Sequence, residues 1–255
     1  MRAPVAEVFS SVQGEGPYVG IRQVFVRTYG CDLRCAYCDT PASRVETGPC
    51  RMEETPGGEG WSEVENPVDG ELVLRQLSSL GPRLRSHHSV SLTGGEPLLH
   101  AGFVGEVAAG ARELGLRSYL ETNGQRVADL ETVIDRIDIV ATDVKLPSSQ
   151  VQEPGFDAEA FLARSIEFLR VARRREVFVK VVCSADTEDV EIAEVARRIA
   201  EKSGETLLVL QPATPRYRGE DAVGAARLLR LQDLAAQHLA DVRVIPQCHR
   251  MMGVR

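Results

Sequence analysis

The stretch GCDLRCAYCDT, residues 30–40, holds three of the six cysteines of this chain. Cys31, Cys35 and Cys38 follow a C-x3-C-x2-C spacing, whereas structural zinc sites favour two-residue gaps and a nearby fourth ligand. A fully ligated iron–sulfur cubane takes four thiolates, so three protein thiolates leave one iron open to another ligand. The spacing therefore predicts a [4Fe–4S] cluster with one iron available for chemistry.

Two plainer explanations of the three cysteines stay open. A Cys3His zinc site would also use three thiolates, but no histidine lies between Thr40 and Ser86. Buried structural cysteines are common, yet three within eight residues of a loop that contains Gly and Asp are hard to place in one core. We therefore favour the iron–sulfur interpretation and keep zinc as the main alternative.

Length and composition favour one α/β domain over residues 1–255. The net charge of −7, with no long basic run, argues against nucleic acid as a partner. No apolar stretch is long enough to cross a bilayer, and residues 1–11 lack the apolar core of a signal peptide. We therefore expect a cytoplasmic protein that uses some of its cysteines as metal ligands rather than in disulfides.

Short β-branched runs alternate with longer helical patterns, which predicts βα units and a mainly parallel sheet. The predicted strands are Gln23–Thr28, Ser89–Leu92, Arg117–Glu121, Ile137–Asp143, Val177–Val182, Leu207–Gln211 and Val242–Ile245. The predicted helices are Glu71–Ser79, Val104–Leu114, Val127–Arg136, Ala158–Arg173, Thr187–Lys202 and Asp221–Leu239. About six parallel strands with crossover helices predict an incomplete (β/α) barrel of the TIM type rather than a closed one.

Two segments interrupt this alternation. Met1–Gly20 contains alternating glycines in SSVQGEG, residues 10–16, which indicate either a backbone held close to a ligand or a plain turn. Pro41–Asp69 is rich in Gly, Glu and Pro and contains Cys50 and Trp61. We interpret it as an irregular insertion beside the active site, acting as a lid or an interaction surface, with Cys50 as a bystander.

Polar motifs follow several of the predicted strands, where barrel enzymes build their sites. LTGGEP (residues 92–97), placed after the cysteine loop, resembles the GGE motif of the radical S-adenosylmethionine (SAM) superfamily. That resemblance implies that the backbone and Glu96 receive the amino group of SAM. LETNG (residues 120–124) and DVKLPSS (residues 143–149) follow the next two strands. A simple turn or a surface ion pair also explains these two motifs.

The full set of motifs resembles the 7-carboxy-7-deazaguanine synthase family. FSSVQGEG (residues 9–16) begins the series, and LQPATP (residues 210–215) and VIPQCHRMMG (residues 244–253) complete it. The resemblance runs from the first strand to the C-terminus and is interrupted only by residues 41–69. It implies a radical SAM lyase that converts 6-carboxy-5,6,7,8-tetrahydropterin to 7-carboxy-7-deazaguanine and ammonia, for queuosine and other 7-deazapurines, with SAM used catalytically.

The resemblance also implies which residues bind the pterin. They are Val12, Gln13, Gly14, Glu15, Arg27, Thr93, His249 and Arg255. A planar guanidinium grips a carboxylate with two hydrogen bonds, and a glutamine with backbone groups can read the edge of a pterin. The plainer alternatives are a surface arginine on an alternating strand and a histidine in a loose C-terminal tail. The family's tail folds back over its substrate, so we expect residues near the C-terminus to cover the site.

Cofactor ligands are implied in the same way, and no side chain is needed as a catalytic base beyond them. The [4Fe–4S] cluster would use Cys31, Cys35 and Cys38, and Mg²⁺ would use the hydroxyl of Thr40. The implied SAM contacts are Ala36, Tyr37, Cys38, Asp39, Gly95, Glu96, Glu121, Thr122, Asp143, Val144, Lys145, Gln211, Pro212, Ala213 and Thr214.

Two rival functions and the partners complete the sequence-based expectations. A glycyl-radical activating enzyme of the same superfamily would leave FSSVQGEG unexplained. A non-catalytic zinc or iron–sulfur module would make SAM irrelevant. The resemblance implies a homodimer that takes electrons from flavodoxin or ferredoxin.

Overall fold

The computed structural model describes residues 1–45, 48–149, 157–215 and 222–254. Its strands, β1 to β12 in chain order, are Arg2–Ala3, Val5–Val12, Arg22–Thr28, Cys50–Glu53, Trp61–Val64, Val68–Asp69, Ser89–Gly94, Arg117–Thr122, Ile139–Asp143, Glu176–Cys183, Leu208–Pro212 and Val242–Val244. Its helices, α1 to α7, are Gly70–Ser79, Ala101–Glu113, Val127–Val133, Ala158–Ala172, Asp189–Lys202, Ala225–Ala236 and Cys248–Met252. None of the helices in these ranges is both long and apolar enough to span a bilayer.

The main sheet has the strand order β12-β11-β10-β9-β8-β7-β3-β2-β4-β5. Every neighbouring pair from β12 to β3 is parallel. The α/β class with a largely parallel sheet, predicted from the sequence, is confirmed. In the described ranges these parallel strands number seven rather than about six, and each matches one of the predicted strands. Helix α6 begins at Ala225, and Asp221, where it was predicted to begin, lies outside the described residues.

The N-terminal segment and the predicted insertion both contain strands. Strand β2 pairs antiparallel with β3 and parallel with β4, and β5 closes a hairpin with β4. The interpretation of Pro41–Asp69 as irregular is therefore wrong for residues 50–53, 61–64 and 68–69. Cys50 and Met52 point into the core, at 0% and 3% exposure. The Gly- and Glu-rich residues lie mainly in the turn between the two strands.

Side chains along the parallel strands point alternately to the two faces of the sheet. Val90, Leu92, Val179 and Val181 lie in the two large apolar clusters that include the buried faces of the helices. The opposite face carries a smaller cluster in which Tyr119 of β8, Ile139 and Ala141 of β9, Phe178 of β10 and Val209 of β11 pack together. Because strand side chains alternate, the residues two positions further along each strand continue this second face.

A turn after β2 covers the apolar part of the second face. Tyr18 in this turn packs edge-on against Tyr119, with ring centroids 5.5 Å apart. Gly16 has a φ of +63°, and a Cβ there would lie 2.6 Å from the Phe178 ring, so only glycine fits. This packing fills the region near the strand N-termini and leaves the space near the C-terminal ends open.

Candidate active site

A cavity of about 480 Å³ opens at the C-terminal ends of the parallel strands. It brings the three cysteines of the C-x3-C-x2-C loop together with residues of seven strands or their ends and with the C-terminal segment. The sequence-predicted residues that line it are Val12, Gln13, Gly14, Glu15, Arg27, Cys31, Cys35, Tyr37, Cys38, Asp39, Thr40, Thr93, Gly95, Glu121, Thr122, Asp143, Lys145, Gln211, Ala213, Thr214 and His249.

The remaining candidates do not line this cavity. Ala36, Glu96, Val144 and Pro212 lie beside it without contributing to its wall. Val144 is 2% exposed and belongs to the apolar cluster under the helices. Arg255 lies outside the described residues.

The cysteine loop is fixed to the ends of β7 and β8. Asp32 accepts hydrogen bonds from Asn123 Nδ2 at 2.8 Å and from Arg126 Nη1 at 3.1 Å. Gly95 packs so closely that an added Cβ would lie 1.9 Å from the carbonyl oxygen of Gly30 and 2.9 Å from the Cβ of Cys31. Glycine at position 95 therefore allows the loop to lie directly on the strand ends.

The three thiols fit a metal cluster by their placement. All three side chains lie in the cavity wall and are half-buried, and none is in a disulfide. Burial raises the pKa of the Cys31 thiol to about 11, so a bound metal has to displace its proton. Cys50 and Cys183 are fully buried in the apolar core and are structural.

Glu96 is turned into the protein rather than into the cavity. Its two oxygens accept hydrogen bonds from Leu98 N at 3.0 Å, Thr122 Oγ1 at 2.9 Å and Asn123 N at 2.7 Å. Burial raises the pKa of this carboxyl to about 7, although the three hydrogen bonds lower it. Glu96 thus ties the turn after β7 to the end of β8. Its contact with the amino group of SAM stays a prediction.

Glu121 on β8 accepts hydrogen bonds from the turn after β2 and from the neighbouring strand β7. It accepts hydrogen bonds from Gln13 Nε2 at 2.8 Å, Thr93 Oγ1 at 3.0 Å and Ser91 Oγ at 3.2 Å. The side-chain oxygen Oε1 of Gln13 accepts a hydrogen bond from the backbone N–H of Glu15 at 3.0 Å. Gln13 and Thr93 therefore have defined directions before any ligand binds.

Four charged side chains of alternating sign run across the cavity. Lys180 pairs with Glu15 and lies 3.4 Å from Asp143 Oδ1, and Lys145 lies 2.6 Å from Asp143 Oδ2. Burial raises the pKa of Glu15, but Lys180 and a hydrogen bond from Gln247 outweigh it and bring the pKa to about 2. Burial lowers the pKa of Lys145, and Asp143 more than reverses that effect. The pKa of Lys180 is raised as well, because Asp143 and Glu15 outweigh its burial, so Glu15, Lys145 and Lys180 all carry their charge at neutral pH.

The C-terminal segment forms part of the cavity wall. Gln247 Nε2 donates to Glu15 Oε1 at 2.8 Å and to Asp39 Oδ2 at 3.0 Å, and the backbone N–H of Cys248 donates to Gly14 O at 2.8 Å. A Cβ on Gly14 would lie 2.3 Å from His249 Nδ1. Helix α7 is therefore joined both to the turn after β2 and to the cysteine loop.

Two side chains of the cavity wall, Gln211 and Asp143, have buried acceptors without hydrogen bonds. Gln211 is 2% exposed, and its Oε1 has no hydrogen-bond partner among the described residues. Asp143 Oδ1 likewise accepts no hydrogen bond in the described part of the chain. An unsatisfied buried acceptor is costly, so this region suits a ligand that brings hydroxyl or amino donors, as SAM does.

Several cavity residues escaped the sequence analysis. Lys180 and Phe178 line the cavity but lie outside the motifs. Gln247 belongs to the VIPQCHRMMG motif but was not among the predicted site residues, and Asn123 was assigned only to a turn. Lys180 could have been predicted to face the cavity, because it follows Phe178 by two positions on β10 and therefore lies on the same face of the sheet. Nothing in the sequence indicated that Gln247 reaches Glu15 and Asp39.

Comparison with known proteins agrees with this arrangement. A model of the Radical SAM superfamily matches residues 25–185. The crystal structure of QueE from Escherichia coli aligns with a TM-score of 0.57 at 18% identity, covering 98% of this chain and 95% of that one. Streptococcus suis SuiB bound to S-adenosylmethionine aligns with a TM-score of 0.53 at 16% identity, covering 84% of this chain and 45% of that one. These likenesses define the radical SAM fold.

Sequence relatives narrow the assignment. A 7-carboxy-7-deazaguanine synthase from Geobacter sulfurreducens is 42% identical over 254 residues, which cover 98% of this chain and 97% of the relative. One from Methanopyrus kandleri is 40% identical over 252 residues, which cover 97% and 92%. The chain therefore belongs to the 7-carboxy-7-deazaguanine synthase family of the Radical SAM superfamily.

Proposed function

We propose that this protein is a carbon–nitrogen lyase that contracts 6-carboxy-5,6,7,8-tetrahydropterin to 7-carboxy-7-deazaguanine and releases ammonia. One observation carries the proposal. A single cavity joins the three cysteines of the C-x3-C-x2-C loop to Arg27 and to the Gln13–Glu15 turn. A radical-generating centre and a site suited to a carboxylated pterin thus face the same space.

The cofactors are a [4Fe–4S] cluster and SAM. Cys31, Cys35 and Cys38 would hold the cluster, and the buried acceptors of Asp143 and Gln211 would receive hydroxyl or amino groups of SAM. Together these two groups supply hydrogen-atom abstraction, which no side chain provides. The protein orients both reactants and excludes water from them.

The substrate side of the cavity suits a carboxylated pterin. Arg27 supplies a guanidinium for the carboxylate. Glu15 is a carboxylate held in its ionised form, which suits the paired N–H donors of an aminopyrimidinone ring. Gln13 and Thr93 are held in place by Glu121. His249, Arg250 and Val254 of the C-terminal segment line the cavity, which supports the proposal that this tail covers the substrate.

A magnesium ion is proposed at Thr40, which lines the cavity next to Asp39. The potential ligand atoms of Glu15, Asp39 and His249 lie within 4.8 Å of one another nearby. Since Lys180 and Gln247 already engage the two carboxylates, this trio by itself is a poor cation site. A hydroxyl, substrate oxygens and waters at Thr40 suit the hard octahedral ion better.

The remaining expectations concern shape and partners. We propose that the parallel sheet is an incomplete barrel, because apolar side chains of β8 to β11 pack together on the face opposite the helices, next to the cavity. The homodimer, the flavodoxin or ferredoxin donor, the cytoplasmic location and the queuosine pathway stay predictions.

The decisive experiment is an anaerobic assay of reconstituted protein with the tetrahydropterin, SAM, Mg²⁺ and dithionite. The expected result is 7-carboxy-7-deazaguanine, identified by mass spectrometry, with no net loss of SAM. A Cys31→Ala variant should give no product and bind less iron, whereas Cys183→Ala should retain its iron. Formation of 5′-deoxyadenosine without deazaguanine would reject the substrate, and loss of neither SAM nor pterin would reject the enzyme class.

A further inference from the structure

We propose that Lys180 is a positioning residue that fixes Glu15 on the substrate side and Asp143 on the SAM side, and so couples the binding of the two reactants. This inference rests on the proposed function, because that function assigns Glu15 to the pterin and Asp143 to SAM. Nothing in the chemistry of hydrogen abstraction requires Lys180, which makes its place in the cavity informative.

The position of Lys180 follows from the sheet. It lies on β10 directly opposite Asp143 of β9 in the parallel register, and its side chain points into the cavity with Phe178 and Val182. Its ammonium pairs with Glu15 and lies 3.4 Å from Asp143 Oδ1. Lys180 is thus the cation that joins the turn after β2 to the end of β9.

Burial distinguishes this arrangement from an ordinary surface ion pair. The side chain of Lys180 is 12% exposed, and those of Glu15 and Asp143 are 17% and 19% exposed. Exposed pairs contribute little because water screens them, whereas removal of one partner from a buried pair leaves an uncompensated charge. Without Lys180, Glu15 would lose its cationic partner and Asp143 would keep only Lys145.

The remaining contacts show what Lys180 controls. The other oxygen of Glu15 accepts from Gln247, and the other oxygen of Asp143 faces Lys145. Glu15 therefore lies between Lys180 and Gln247, and Asp143 lies between Lys180 and Lys145, so Lys180 is the cation common to both carboxylates. Its loss frees one side of each carboxylate, so the pterin-facing and SAM-facing groups lose their directions together.

The test compares Lys180→Met, Lys180→Arg and the exposed control Lys202→Met in the cluster-loaded enzyme. Lys180→Met should raise the KM for the tetrahydropterin and the KM for SAM by about tenfold or more each, with a smaller fall in kcat. Lys180→Arg restores the charge and should recover most of both KM values. Lys202→Met should match wild type.

A spectroscopic measurement provides a readout besides turnover. SAM changes the electron paramagnetic resonance spectrum of a reduced cluster that it ligates, and Lys180→Met should need about tenfold more SAM for the same change. If Lys180→Met does not fold, the double variant Glu15→Gln with Lys180→Met removes both members of the pair, and the same shift in SAM is expected.

Three outcomes would contradict the proposed role of Lys180. A folded Lys180→Met with wild-type KM values would overturn the inference, and so would a wild-type SAM titration of the double variant. A rise in only one of the two KM values would overturn the coupling. Failure of the wild-type enzyme to make deazaguanine in the same assay would instead reject the proposed function, so the two failures are distinguishable.

Discussion

Arg27 Nε donates a hydrogen bond to Glu7 Oε1 at 2.9 Å, across a directly opposed pair of residues on β2 and β3. Both side chains line the cavity and are about four-fifths buried, at 19% and 20% exposure. Because Nε and the two terminal nitrogens of a guanidinium point in fixed directions, a bond to Nε sets the direction of the others. Glu7 therefore orients the terminal guanidinium nitrogens of Arg27, which are the donors proposed to bind the carboxylate of the substrate.

Replacement of Arg27 should weaken binding of the pterin more than it slows the chemistry. Arg27→Lys keeps the charge but loses the planar pair of donors, and we expect the KM for the tetrahydropterin to rise about tenfold. Glu7→Gln should have a smaller effect in the same direction, because the amide still accepts from Nε. The exposed Arg75→Lys on α1 is the matched control, and an unchanged KM in Arg27→Lys would contradict the assignment.

The parallel strands were predictable because their patterns are unambiguous. Runs such as VFVKVV on β10 are short, β-branched and followed by a helical pattern, which favours βα units. Strands β4 and β5 were hidden because only Cys50 and Met52 of β4 are buried apolar residues, in a segment full of Gly, Glu and Pro. Strand pairing with β2 outweighs the local composition there.

The site was predictable only where spacing defines chemistry. Cysteine spacing selected the three thiols, and the family resemblance carried by the motifs supplied most of the other predicted residues of the cavity wall. Many of these residues lie together because the ends of parallel strands lie at one edge of a sheet. The direction of Glu96 was not readable, since a carboxylate after a glycine turn can face either the cavity or the donors of Thr122 and Asn123. Lys180 is the single charged residue within the apolar run VFVKVV of β10, and its partners Glu15 and Asp143 are remote in sequence.

We expect the absence of a side chain at Gly14 to allow the C-terminal segment to pack against the turn after β2. A Gly14→Ala side chain would meet His249 Nδ1 at 2.3 Å and its backbone nitrogen at 2.6 Å, so α7 has to move away. We expect faster hydrogen exchange in residues 247–254 and a KM for the tetrahydropterin raised about fivefold or more. Gly204→Ala, where nothing lies within 4 Å, is the control. Unchanged exchange in the Gly14 variant would show that the segment does not pack as described.

Glu96 should make stability depend on pH in a defined window. Its pKa in the folded protein is raised from 4.5 to about 7, so its contribution to stability is present in full below about 4.5 and is lost as pH rises through 7. Glu96→Gln cannot ionise. The difference in melting temperature, wild type minus Glu96→Gln, should therefore decrease from pH 5 to about pH 7 and level off above that pH.

The difference between the two proteins is needed because other groups titrate nearby. The pKa values of His87 and His88 are lowered, by burial first and then by Arg22 and Arg117 respectively, and these histidines act in the opposite direction over the same range. Their contribution cancels between wild type and variant. A difference that stays constant, or increases with pH, would mean that the Glu96 carboxyl ionises as easily as it does in water.

A substitution of Gln211 should weaken the binding of SAM without lowering the stability of the folded protein. Its buried Oε1 has no hydrogen-bond partner in the described ranges, and an unsatisfied buried acceptor costs about 1–3 kcal/mol. Gln211→Met fills a similar volume without that acceptor, so the variant without SAM should melt at the wild-type temperature or higher. Its affinity for SAM should fall about tenfold, because the hydrogen bond that the ligand would donate is lost.

Anaerobic titration calorimetry measures the affinity, with the exposed Gln237→Met as control. A variant that binds SAM as tightly as wild type would show that this carbonyl faces water rather than the cofactor, whereas a less stable variant would show that it already has a partner in the folded chain.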